Sequence, residues 1–241
     1  LGGTILNMIT VFLGSSLGLF VGNRLPEKLS ESVVTGLGLV TFYVGISNAG
    51  LSGNIIIPLL SVVIGVMIGE LLNIEGYLER LAGWLQGRFS GGDSEADKAK
   101  FISGFVTASL VFCIGPLTFV GSIQDGMGLP IGFQQLAIKS VLDMFAGMAF
   151  AATLGVGVMF SIVTILVIQG GLALLGGVLG DFMSAPMINE MTAVGGILLI
   201  GLALVLLDIK RPRIANFLPA LIIAPLIVAV ATALGVDIYP L

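Results

Sequence analysis

Lys139 and Asp143 stand four residues apart in Lys139-Ser-Val-Leu-Asp143, a spacing that sets both side chains on one helix face and lets them pair. Ionisable groups inside apolar segments are rare, costly and a sign of function. Glu70, Asp125 and Glu190 share that setting, and Gln124, Thr192, Asn7 and Gln169 add uncharged polar groups to it. The chemistry open to this set is the binding of a small ion or solute, with a cation (proton or sodium) favoured by four carboxylates against one lysine. Asp143 and Asp125 would hold it, Lys139 would act as competing counter-charge, and Gln124, Glu190, Thr192, Asn7 and Gln169 would line the path. A small anion held by Lys139 and helix N-termini is the other transport chemistry.

Each residue also has a plainer role. Lys139 and Asp143 make a structural ion pair, or Lys139 snorkels outward from the helix end. Glu190 complements the dipole of a first helical turn, as Glu31 does in an earlier segment. Asn7 and Gln169 bond across helices. Gln124 and Asp125 mark a helix exit, and Glu70 closes a segment where water reaches it.

Other chemistry is poorly supplied. The chain has no histidine and one cysteine, Cys113. The commonest metal ligand and general base are therefore missing, and no intrachain disulfide can form. No phosphate-binding loop or dinucleotide fingerprint is present, and the expectation is a protein that is not an enzyme and carries no cofactor or metal.

The elements that hold these residues follow from composition. Of 241 residues, 56% are hydrophobic and 10% charged, against about 45–50% and roughly 25% in soluble domains. A net charge of −4 gives no basic footprint for nucleic acid. This is the composition of an all-α, polytopic membrane protein embedded in a lipid bilayer. Charge-free windows run over 1–23, 32–69, 101–124, 144–180, 191–207 and 214–236. A span needs about 20 apolar residues, so the two longest windows each hold a turn, at Asn48-Ala-Gly-Leu-Ser-Gly-Asn54 and at Gly155-Val-Gly157. Eight spans result: 2–23, 31–48, 55–72, 101–124, 135–154, 158–180, 187–207 and 217–236. The first lacks a basic leader and is followed by Arg24 and Lys28, which suits a retained span with an exported N-terminus rather than a signal peptide.

Threading eight spans puts Arg24, Lys28, Arg80, Arg88, Lys98, Lys100, Lys210, Arg211 and Arg213 on one side and leaves out only Lys139. The positive-inside rule makes that side cytoplasmic, with both termini outside. Residues 73–100 form the longest cytoplasmic connection. Ile74, Tyr77, Leu78, Leu81 and Leu85 recur at helical spacing, which predicts an amphipathic helix in the membrane interface with Trp84 as anchor. Gly91-Gly-Asp-Ser-Glu-Ala-Asp-Lys98 reads as a solvated linker.

Thirty-five glycines, roughly twice the usual share, suit close helix contact in lipid. Gly14, Gly18 and Gly22 form a stripe in the first span, echoed by Gly176 and Gly180 in the sixth. Pro26 matches Pro186, Gly38 matches Gly196 and Pro58 matches Pro219, at offsets of 158–161. The first and sixth spans run in opposite directions, so residues 1–72 and 158–241 form an inverted repeat of three helices each, joined by 73–100 and a central pair over 101–154, within a single membrane domain. Phe112-Cys-Ile-Gly-Pro116 breaks the fourth span, because proline removes a hydrogen bond and clashes with the preceding turn. A split helix at membrane depth lines a cavity or is buried in protein.

Several stretches together resemble one family: Leu1-Gly-Gly-Thr-Ile-Leu-Asn7, Gly65-Val-Met-Ile-Gly-Glu-Leu-Leu-Asn-Ile-Glu-Gly76, Gly104-Phe-Val-Thr-Ala-Ser-Leu110, Gly121-Ser-Ile-Gln-Asp-Gly126, Lys139-Ser-Val-Leu-Asp143 and Glu190-Met-Thr-Ala-Val-Gly-Gly196. The chain is similar over nearly its whole length to the YdfK/YqgA family of bacterial membrane proteins, a domain-of-unknown-function family. The resemblance implies a multi-pass protein of the bacterial inner membrane and supplies no substrate. The functional expectation is a transporter or channel whose polar site is built by the fourth, fifth and seventh spans. The alternative is a non-transporting scaffold or sensor that uses 73–100 as a partner surface. The glycine stripes also offer a face for a homodimer.

Overall fold

The computed structural model describes residues 1–22, 26–89, 94–114, 116–179 and 183–239. Arg24, residues 90–93 of the linker stretch, Gly115 of the break and Gly180 of the second stripe lie outside the described residues. Among those described, the chain is helical and contains no strand. The elements are α1 (Gly2–Gly22), α2 (Glu27–Ala49), α3 (Ile56–Leu72), α4 (Ile74–Phe89), α5 (Glu95–Cys113), α6 (Pro116–Gly126), α7 (Pro130–Leu154), α8 (Gly157–Phe160), α9 (Ile162–Leu174), α10 (Gly176–Leu179), α11 (Ala185–Leu206), a 3-10 turn (Ile214–Phe217) and α12 (Ala220–Ala233).

Six stretches are long and apolar enough to cross a membrane unbroken, and two bent pairs raise the number to eight when each is one span. The first pair is α3 with α4, bent by 49°, and the second is α5 with the 117–126 part of α6, bent by 65°. The protein is a polytopic membrane helical bundle. Its large apolar side chains point outward as well as inward: Ile5, Ile9, Phe12, Leu17 and Phe20 of α1 are all exposed, which suits a lipid solvent.

Local chemistry sets the ends. Asn73 takes a left-handed conformation (φ 50°) and its N–H bonds to Glu70 and Gly69 carbonyls, closing α3. Gly155 has φ +83° and stops α7 at the expected turn. α7 begins at Pro130, five residues before the expected 135, and three other shifted boundaries change the setting of charged residues. α2 begins at Glu27, so Glu31 sits a turn inside rather than at the helix start. α11 begins at Ala185, so Glu190 lies beyond its first turn. α5 begins at Glu95: Ser94 Oγ accepts the Asp97 N–H at 3.1 Å and donates to Asp97 Oδ2 at 2.6 Å. That N-cap bond makes the second half of the presumed linker helical.

The chain divides into two compact units. The first holds 1–37, 77–113 and 117–181, and the second holds 38–76, 114–116 and 182–241. Each three-helix segment gives its first span to the first unit and its third to the second.

In the first unit, α1 lies along α7. A Cβ at Gly14, Gly18 or Gly22 would strike the carbonyl oxygens of Met144, Met148 and Ala152 in turn. The partners differ by 130 residues each time, so the two helices run parallel in fixed register. Gly126 likewise meets Ala173, and Gly176 meets Ile123, which sets α9 and α10 against α6. Part of the α4 stripe is covered by protein: Ala82 and Leu85, with Leu78 and Leu81, pack on Phe101 and Phe105 of α5. Helical spacing identifies an apolar face without saying what covers it. Tyr77, also of the stripe, and Trp84 remain exposed at its flank.

In the second unit, Gly38 meets Leu207, Gly45 meets Ile200 and Gly196 meets Ala49. These numbers sum to 245, so α2 and α11 are antiparallel. Gly65 meets Ala220 and Gly69 meets Asn216, summing to 285, so α3 and α12 are antiparallel too.

Eight spans, with each bent pair crossing once, require α1 and α7 to run in the same direction, and they do.

Candidate functional site

The residues singled out by type fall into three groups. The first is the pair on α7. Lys139 Nζ donates to Asp143 Oδ2, and Lys139 is only 6% exposed. The side chain does not snorkel to the surface. Asn7 Nδ2 of α1 donates to the same Oδ2 at 2.9 Å. Asn7 is fully buried and its Oδ1 has no partner. The parallel register explains the meeting. Asn7 falls opposite position 137 of α7, and helical side chains lean toward the N-terminus, so Asp143 reaches back toward it. One buried carboxylate thus holds an ammonium and an amide from two helices.

The second group surrounds Asp125 at the end of α6. Asp125 Oδ2 accepts the Gly3 N–H at 3.2 Å and lies 2.8 Å from the Leu1 nitrogen. First-turn amides of a helix have no intrahelical partner and attract a carboxylate. Asp125 therefore serves α1 as a cap supplied from another helix. Gln124 stands beside it with Oε1 buried and unpartnered.

The third group lies in the second unit. Glu190 is fully buried, and its carboxylate accepts from Ser52 Oγ at 2.7 Å, Gly53 N at 2.9 Å and Asn54 N at 3.3 Å. It holds the turn before α3 instead of capping its own helix. Asn54 Nδ2 reaches on to the Ile238 carbonyl at 2.6 Å. Tyr239 packs on Gly53. Burial, then the neighbouring Glu190 charge, hold its phenol above its ordinary range. Thr192 spends its hydroxyl on the Ile188 carbonyl at 2.7 Å, leaving no free donor. Across the same unit, Asn216 Oδ1 accepts the Glu75 N–H at 2.8 Å, and Arg213 pairs with Glu70 at 3.3 Å. Asn54 and Asn216 thus tie matching turns of the two segments to the chain beyond the facing helix.

Gln169 departs from its expected role. It is fully buried on α9, and neither amide atom has a partner. Sequence reasoning also passed over Ser15, fully buried on α1 with its hydroxyl unpartnered. The signal was available, since Ser15 falls eight residues after Asn7 and hence on its face. Among the described residues there is no cluster of three or more histidine, cysteine, aspartate or glutamate side chains able to hold a metal.

A model of a family described as a protein of unknown function, DUF554, matches residues 2–229. The Escherichia coli K12 uncharacterized protein YqgA is 31% identical over 232 residues, covering 96% of this chain and 97% of the relative. The Bacillus subtilis 168 uncharacterized membrane protein YdfK is 28% identical over 237 residues, covering 97% and 98%. No solved structure matches the chain.

Proposed function

The chain belongs to the DUF554 family, and from that premise we propose that it carries a small cation across the membrane, with Asp143 as the group that binds it. The observation that supports this reading is the burial of Lys139 and Asp143 together on a spanning helix, with Asn7 as a third member. A lone carboxylate in a low-dielectric interior is prohibitively costly, and removing one member of a buried pair costs about 3–5 kcal/mol. A carboxylate that exchanges one positive partner for another avoids that cost at each stage. Lys139 neutralises Asp143 when no ion is present, and the arriving cation takes its place.

Asp125 and Glu190 enter this reading in supporting roles. Asp125 fixes the start of the helix that carries Asn7. The Glu190 oxygens are already engaged by Ser52, Gly53 and Asn54, so ion binding there would require that turn to open. The orientation with both termini outside, in a bacterial inner membrane, accompanies the proposal.

A second reading rests on α4. Tyr77 and Trp84 are exposed beside Arg80, whose guanidinium lies 4.2 Å from the Tyr77 ring centroid. Such a face suits a partner or headgroups more than a transport path.

Ion flux in proteoliposomes separates the readings. Wild type should show a current or pH change specific to one cation, and Asp143→Asn should abolish it while the protein remains monodisperse and folded. A structural pair predicts instead that Asp143→Asn and Lys139→Met each lower stability, that the double variant recovers part of the loss, and that no flux depends on either.

A further inference from the structure

We propose that a pocket of about 340 Å³ in the first unit seats the headgroup of phosphatidylethanolamine, with the lipid phosphate on Lys100 and its ammonium at Asp97. The inference is independent of the transport reading and uses none of the residues assigned to it.

Gln86 of α4, Asp97, Lys100 and Phe101 of α5, and the turn after α7 from Leu154 to Val156 line the pocket. Its volume falls at the small end of the range for ligand sites, about 300–1,000 Å³. The pocket straddles the boundary between charged and apolar chain. Glu95, Asp97, Lys98 and Lys100 occupy the first turns of α5, and the charge-free run begins at Phe101. Leu154 likewise ends the spanning helix α7, and Gly155 turns the chain. On the apolar side of that boundary, Phe101 and Val156 belong to the cluster built with Ala82 and Leu85. On the polar side stand two exposed charges and the buried Gln86. That places the pocket at the depth of the lipid headgroups.

Both charges are available. Asp97 and Lys100 are three apart on one helix and could pair, yet no ion pair joins them. The Lys100 stem lies along the turn, its Cε 3.4 Å from where a Cβ on Gly155 would stand. Asp97 Oδ2 accepts from Ser94 Oγ, and Oδ1 has no partner among the described residues.

The plainer role of Lys100 is to complement the C-terminal dipole of α7. That role accounts for the lysine but not for a pocket that also presents a carboxylate. One cation and one anion leave the pocket without net charge, which suits a zwitterion better than an anionic headgroup. An ammonium offers three donors to a phosphate, and a carboxylate only accepts. The cation of the headgroup must therefore carry N–H, as ethanolamine does and choline does not. The apolar lining matches the glycerol and acyl side of a lipid, and a soluble zwitterion would leave it uncovered.

The test is thermal unfolding of the purified protein in mixed micelles, titrated with phosphatidylethanolamine, phosphatidylcholine or phosphatidylglycerol of the same acyl chains. A ligand that binds only the folded state raises the midpoint with its concentration. Phosphatidylethanolamine should do so saturably, and the other two should do so less. Lys100→Gln and Asp97→Asn should each raise the half-saturating mole fraction about tenfold, as for a lost hydrogen bond to a charged group. Lys98→Gln, outside the pocket lining, and Ser94→Ala, which loses the α5 cap, should keep the wild-type lipid response. Native mass spectrometry of wild type with the three lipids in competition reads the same preference without any variant. Equal responses to the three lipids overturn headgroup recognition. A wild-type response in Lys100→Gln, even with lowered stability, overturns the site and leaves Lys100 its dipole role. A response to water-soluble glycerophosphoethanolamine as strong as to the lipid overturns the lipid assignment.

Discussion

Glu190 and Gly53 are 137 residues apart, yet the carboxylate of one accepts the backbone N–H of the other at 2.9 Å. The bond ties the start of α11 to the turn between α2 and α3, within one unit, and its acceptor carboxylate is fully buried. Four predictions follow from this and related contacts.

Glu190→Gln keeps an acceptor but loses the charge. Hydrogen bonds to charged groups are worth about 1.5–3 kcal/mol and neutral ones about 0.5–1.5, so the variant should lose about 1–3 kcal/mol. Glu190→Leu strands three donors and should lose more. Unfolding in mixed micelles reads both, and proteolysis should begin within residues 50–55 in Glu190→Leu. Stability equal to wild type in Glu190→Leu would mean the turn is held by other means.

The α1–α7 contact depends on the absence of side chains. Gly18→Leu should destabilise by about 1–3 kcal/mol through overpacking against Met148. Gly83 on α4 has nothing within 4 Å of a built Cβ, and Gly83→Ala should be neutral or stabilise by up to about 1 kcal/mol. The same unfolding assay measures both, and the contrast between the two glycines is the result that matters.

Tyr239 gives a pH signature. Its folded value is raised, by burial first and then by Glu190. The stability that comes from its neutral phenol is therefore complete below the unfolded value of about 10 and lost as pH climbs through the folded value. Absorbance at 295 nm should show an ionisation above pH ~10 that disappears in Tyr239→Phe. Glu190→Gln should bring it to lower pH.

The eight-span arrangement with both termini outside predicts membrane sidedness. In a Cys113→Ala background, Ser52→Cys and Leu129→Cys should react with an impermeant maleimide from one side, the outside of intact cells. Glu79→Cys and Arg211→Cys should react only from the opposite side. Joint labelling of Leu129→Cys with Glu79→Cys would show that the α5–α6 pair turns back.

The sequence makes the span count legible because charges are so sparse that each cluster marks a membrane exit. The Lys139–Asp143 pairing is legible because four residues on a helix are neighbours in space. Asn7 is different: its partner is 136 residues away, and only the register of α1 on α7 brings it there. Glu190 misleads for a related reason, since proximity to a helix start in sequence suggests a cap while its oxygens serve another turn. The stripe on α4 is correctly read as apolar, but periodicity is the same whether lipid or α5 covers it. Ser94 and Asp97 carry a readable capping signature, masked by the surrounding charges.

The register of α1 on α7 also bears on biogenesis. At about 5–20 residues per second, a ribosome needs roughly 6–26 seconds to add the 130 residues that separate Gly14, Gly18 and Gly22 from their seats on α7. During that interval the first helix sits in the membrane with Asn7 and Ser15 turned to whatever surrounds it. A newborn chain of this kind has to shelter its most polar stripe before the helix that will cover it exists, so arrest of synthesis short of residue 154 should leave α1 open to chaperone or protease.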